Sequence, residues 1–180
     1  MTDEKRPYRK KRRAELEEQT RLRITESAVE LHGTLGPSRT SMSAIAEHAG
    51  VRRSTLYRHF PDEVAVFAAC SAHWATANPP PDVSAWAAIE DPEERLASGL
   101  RELYAYYRSS ESMLANLHRD EPLMPTVAQF FSAYHQFMAA TRDVLMDGRD
   151  LRGKARKACR LATDGSTLTA CRFNSQAASR

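Results

Sequence analysis

Glycine and cysteine are scarce in this 180-residue chain, at seven and three residues, and aromatics make up only 8%. The cysteines, Cys70, Cys159 and Cys171, are odd in number, far apart and outside any CxxC or Cys/His cluster. Such spacing argues against a disulfide framework or a structural zinc site and fits free thiols in a cytoplasmic protein. No apolar run approaches the ~18 residues of a membrane helix. The basic N-terminus is not followed by the apolar segment of a secretory signal. Alternation of strand period is missing over any useful length, so the expected fold is all-α. Also missing are a glycine-rich phosphate loop, a GxSxG nucleophile motif and a metal-spaced cluster. An enzyme is therefore not expected, and no catalytic residue, metal ligand or cofactor is assigned. Glu93-Glu94 is more simply a helix-start feature than an acid/base pair.

What is present is charge, unevenly placed. Residues 1–60 hold 13 basic against 8 acidic side chains, residues 61–148 hold 5 against 13, and residues 149–180 hold 8 against 2. A basic front on an acidic body fits a nucleic-acid-binding module joined to a part with another task. Residues 1–13, MTDEKRPYRKKRR, carry seven Lys/Arg and little apolar surface. They read as a flexible basic arm, either simply solvated or tracking phosphates or the minor groove beside a main contact.

Helical periodicity begins near Ala14 and runs to His32, with Leu16, Leu22, Ile24, Ala28, Val29 and Leu31 on one stripe and Gly33 and Gly36-Pro37 as stops. Thr40 or Ser41 caps the next helix, which buries Met42, Ile45, Ala46 and Ala49. Gly50 supplies a positive φ and Val51 plugs the angle. A second short helix, about Arg52 to Arg58, is anchored by Leu56 and Phe60. From Ser41 to Phe60 this is the pattern of a helix-turn-helix, with a second helix rich in Arg, Ser, Thr and Tyr, as in a DNA reader. Asp62 caps a longer helix with Val64, Phe67, Ala68 and Trp74 on one side, and Asn78-Pro79-Pro80-Pro81 closes it. This gives an arm at 1–13 and a first domain at 14–78. A helical domain at 82–147 follows, with helices at about 91–108, 112–118 and 125–147; Asp91 caps the first of them and Pro92 opens it. The segment 148–180 has no apolar stripe of four turns. Three origins fit it: a divergent end, a disordered basic tail, or a shifted reading frame after about Gly148.

The stretch from about Leu22 to Trp74 resembles the DNA-binding domain of TetR-type transcriptional repressors. The resemblance is carried by Thr40-Ser41-Met42-Ser43-Ala44-Ile45-Ala46, by Ala49-Gly50-Val51 and by Thr55-Leu56-Tyr57-Arg58-His59-Phe60. It implies that Ser43 and Arg53 reach base edges, that Ser54 and Thr55 lie next to the DNA, and that Tyr57 and His59 grip phosphates. Thr40, Ser41, Arg52 and Arg58 complete the implied DNA-binding set. The chemistry agrees, since Arg offers two donors to guanine and Ser, Thr, Tyr and His bond phosphate oxygens. Two positions depart from the family pattern. Arg52 stands where a capping Ser is common, and Glu63 stands where a Lys is common and would repel phosphate.

The same resemblance implies that the second domain binds a small-molecule effector and joins two chains as a homodimer on a near-palindromic operator. Trp86, Tyr104, Tyr107, Phe130 and Tyr134 are the candidate ligand-lining residues, although each taken singly reads more readily as core. The expected function is a DNA-binding transcriptional regulator, a repressor released by its effector. The alternative is a DNA-binding protein without effector response.

Overall fold

The computed structural model describes residues 5–149 and Lys157. Seven α-helices and two short 3₁₀ turns make up the fold, with no strand among the described residues, as the missing strand periodicity led one to expect. The helices are α1 (Lys5–Thr34), α2 (Met42–His48), α3 (Arg53–His59), α4 (Glu63–Ala77), α5 (Val83–Ala87), α6 (Pro92–Asp120) and α7 (Pro125–Met146). None of them is long and apolar enough to cross a membrane. The chain divides into two units, residues 1–76 and 77–180. Beyond Arg149, and apart from Lys157, the expectations for the tail lie outside the described residues.

In the first unit α1 starts at Lys5 rather than Ala14. Residues 5–13 contain strong helix formers, and the pair from Arg13 Nε to Glu17 Oε1 at 3.0 Å ties the extension to the packed part. Once a helix is nucleated, each further residue costs little. The stripe predicted for α1 also needs correcting. Leu16 and Leu22 are exposed, and the buried face is Ile24, Thr25, Ser27, Ala28 and His32. Gly33 lies inside the helix, and the stop comes at Gly36, whose φ is 96° and whose N–H bonds Leu31 O.

Ser41 caps α2, its Oγ accepting from Ala44 N at 3.1 Å. Ile45, Ala46 and Ala49 are buried and Met42 packs on them. After α2 the chain turns through Gly50 at φ +63°, where an added Cβ would meet nothing within 4 Å. The glycine is therefore required for its backbone conformation and not for space. Val51 N bonds Ala46 O at 2.9 Å, which closes the turn. Leu56 and Phe60 are fully buried and bind α3 to the core of Ile24, Ala28, Ile45, Val66 and Cys70. Each such aliphatic or aromatic side chain stabilises by ~1.5–3 kcal/mol. Asp62 caps α4 through Ala65 N at 2.8 Å. The buried residues of α4 are Val66, Phe67 and Cys70, whereas Val64, predicted inward, is exposed. Burial pushes the Cys70 thiol up to about 12, so it is an inert core group.

The second unit holds a helix that sequence periodicity did not suggest, α5, capped by Asp82 through Ser84 N at 2.9 Å. It exists to place Trp86, which is fully buried and donates Nε1 to Glu102 Oε2 at 3.0 Å. Two helices were expected at about 91–108 and 112–118, but α6 is a single helix of 29 residues. No glycine or proline interrupts Ser109-Ser110-Glu111-Ser112, and Ser109 returns its hydroxyl to Tyr106 O at 2.9 Å without breaking the ladder. Asp91 caps α6 through Glu93 N, as the sequence implied. α6 and α7 run antiparallel, with Gly99 beside Leu145, Tyr107 Oη on Met138 Sδ and His118 edge-on to Phe131. A side chain at Gly99 would collide with Leu145, so this glycine allows close approach. At that end Arg95 donates to Asp147 O at 3.0 Å, and Arg149 reaches Glu93 at 2.8 Å.

Candidate nucleic-acid interface

Burying Leu56 and Phe60 decides which way α3 faces. Arg52, Arg53, Ser54, Tyr57 and Arg58 are exposed as a consequence, and Thr55 and His59 are half-buried at the edges. Arg53 is organised by its own helix: its Nη2 lies 3.4 Å from Tyr57 Oη and its guanidinium sits over the Tyr57 ring at 5.7 Å. That contact limits the rotamers Arg53 must give up on binding. Arg52 stands at the N-cap with extended backbone and makes no side-chain cap bond, as its chemistry required. From α2, Ser41 and Ser43 are exposed, although Ser41 spends one lone pair on its cap. Thr40 is different. It is buried, with its hydroxyl on Gly36 O at 2.8 Å, so it shapes the approach to α2 and leaves the exposed set.

His59 is at the inner edge. Its Nε2 is buried and makes no hydrogen bond. Burial, then the nearby Arg58 and Arg21 guanidinium groups, hold the imidazole below its ordinary value, so it is neutral at pH 7. An open cleft between α1 and the end of α3 is lined by Ala14, Glu17, Glu18, Arg21, Arg58 and His59.

Residues 24–70 match the family model described as bacterial regulatory proteins, tetR family. Over residues 24–70 the chain is thus similar to the TetR-family DNA-binding domain. No curated protein sequence matches the chain. Among solved structures, a Clostridium perfringens protein described as a fatty acid metabolism regulator is similar at 15% identity and TM-score 0.62, over 86% of each chain. A TetR-family transcriptional regulator from Mesorhizobium loti is similar at 20% identity and TM-score 0.53, over 79% of this chain and 76% of that one. A transcriptional regulator from Streptomyces coelicolor A3(2) shares 20% identity at TM-score 0.54, over 84% and 86% of the two chains. The family match covers residues 24–70, and the three solved structures, at 15–20% identity, share the fold.

One residue serving the TetR-family domain was not visible in the sequence. Arg21 of α1 donates Nη1 to His59 O at 3.0 Å and lies over the Phe60 ring at 4.3 Å, which fixes the C-terminal end of α3. Its partners are 38 and 39 positions away, and no local pattern announces them. In the second unit the aromatic candidates divide. Trp86 and Tyr107 are core residues, while Tyr104, Phe130 and Tyr134 are half-buried. Tyr104 meets Tyr107 edge-on, and Tyr134 stacks on Phe131 at 4.6 Å with the rings 2° from parallel.

Proposed function

We propose that the protein is a one-component transcriptional repressor that reads a near-palindromic operator as a homodimer in the cytoplasm. A small-molecule effector releases it. The observation that carries the DNA-reading part is the polar outer face of α3, set against the fully buried Leu56 and Phe60 on its inner side. A short helix held this way presents Arg53, Ser54 and Tyr57 to a major groove while its core anchors fix the register. Arg53 and Ser43 read base edges; Arg52, Thr55, Tyr57, Arg58 and the neutral His59 grip phosphates; Ser41 lies alongside. Glu63, exposed in the first turn of α4, stays back from the backbone because it would repel it. Half-buried Tyr104, Phe130 and Tyr134 supply the effector contacts, with Trp86 and Tyr107 as their backing. Two copies on two half-sites double the contact set and set the operator symmetry.

Selection of bound duplexes from a random pool tests this. The wild-type chain should enrich a two-fold symmetric sequence. Arg53→Ala should lose ~1–3 kcal/mol of discrimination at one base position per half-site. An Arg53→Ala protein with unchanged affinity and unchanged preference would remove Arg53 from base readout.

A further inference from the structure

The extension of α1 puts like charge where a helix least favours it. Arg9, Lys10, Lys11, Arg12 and Arg13 follow one another near the N-terminal end, and the first turn contains no acidic residue. The mutual repulsion of cations three and four residues apart opposes this arrangement. Among the described residues only Arg13 of the five is held in an ion pair, to Glu17. Every described side chain from Tyr8 to Arg13 is exposed. A local rule broken with a single internal ion pair among the described residues points to an external counterweight.

Geometry indicates where that counterweight lies. Ala14, Glu17 and Arg21 of α1 border the same cleft as Arg58 and His59 at the end of α3. At 3.6 residues per turn Lys10 continues the stripe of Ala14, Glu17 and Arg21, one turn further out. Lys10 therefore lies beyond the end of α3, next in line after Arg58, with Lys11 and Arg13 to either side of that stripe.

We propose that residues 9–13 form a second DNA-binding element that grips backbone phosphates flanking the bases read by α3. This rests on the DNA-reading function proposed above. The element binds as a helix laid against the phosphates, and not as an extended arm in the minor groove. A helix with side chains is ~10–12 Å across, while the minor groove is ~6 Å wide. Phosphate contacts of this kind carry no sequence information and depend steeply on salt.

The test uses the full chain and two variants, with affinity measured against salt on the selected operator and on unrelated duplex. Lys10→Gln/Lys11→Gln/Arg12→Gln keeps helix propensity and exposed positions, so its melting temperature should match wild type. The slope of log K on log salt should become shallower by about 0.9 for each phosphate that is no longer neutralised. The shift should be equal on both duplexes, with base preference intact. Lys11→Pro keeps most of the charge but breaks the extension, and should flatten the slope comparably. An unchanged slope in the triple variant would overturn the proposal. So would a Lys11→Pro protein that binds as wild type, or a wild-type preference for A·T pairs beside the half-sites, since either result describes an arm in the minor groove. If wild type selects no sequence at all, the DNA-reading function itself fails, a result distinct from these.

Discussion

The two units differ in how far they rely on buried polar groups. In the first, buried Thr25 and Thr40 give their hydroxyls to carbonyls four residues back, at 3.0 and 2.8 Å, so each is satisfied locally. The helices there are joined by apolar packing around Leu56 and Phe60, with Arg21 on His59 O and His32 beside Cys70 as the longer polar reaches. In the second, two polar contacts bridge separate parts of the chain. Arg95 is buried and spans 52 residues to Asp147 O, and Trp86 reaches Glu102. Asp120, by contrast, is fully buried and held locally, by two bonds from the preceding residue Arg119 at 2.7 and 3.0 Å. An apolar core with local polar bonds gives one well-defined arrangement, which suits a surface that must match a duplex. Polar links between helices are directional and costly to break singly.

The sharpest test of this contrast removes an anchor from the apolar side. Phe60→Ala should lower unfolding free energy by ~3–5 kcal/mol. Operator binding should disappear with it, because the C-terminal end of α3 loses both its plug and the ring beneath Arg21. Denaturant unfolding and gel-shift titration read the two effects. On the polar side, Asp120→Asn removes a charged acceptor from a fully buried site and should cost ~1.5–3 kcal/mol of stability. A loss below about 0.5 kcal/mol, on the order of an exposed pair, would show that Arg119 finds water easily and that this buried pair is not structural.

Much of the first unit was legible because its signals are local. Ser41 as a cap, Gly50 as the positive-φ turn, Leu56 and Phe60 as anchors and Asp62 as the next cap are all statements about neighbours within a few residues. What failed depended on distant partners. Leu16 and Leu22 are apolar and at helical spacing, yet the part of α1 that packs begins only near Arg21. Val64 gave way to Val66 because the orientation of α4 is set by the core cluster. The break expected between 108 and 112 does not occur, because the hydroxyl of Ser109 bonds back to Tyr106 O and leaves the helix continuous. For the interface, residue types showed which side chains can meet DNA, but only burial shows that Thr40 turns inward and that Arg21 holds the end of α3.

Two smaller effects refine the comparison. Ser41→Ala should cost about 1 kcal/mol, the value of an N-cap, whereas Ser41→Asp, which keeps a capping oxygen, should retain most of it. A thermal melt of wild type and both variants checks this. The mildest effect is the pH response of His59. Its folded value lies below the ordinary imidazole value, so as pH falls the unfolded chain takes up the proton first. The stability associated with neutral His59 is complete above about pH 6.5 and declines as pH drops through the folded value. Urea midpoints at pH values on either side of about 6.5 should therefore differ more for wild type than for His59→Gln. Equal differences would assign the pH response elsewhere.

The continuity of α6 has a mechanical meaning. A helix of 29 residues is a rod about 43 Å long. A tilt of about 5° about one end of such a rod moves the other by roughly 4 Å, comparable to a single strand spacing or most of a helical turn. Had the chain broken near Ser109, the hinge would absorb that motion. As one piece, α6 has no internal hinge between Arg95 at its first turns and Asp120 at its end.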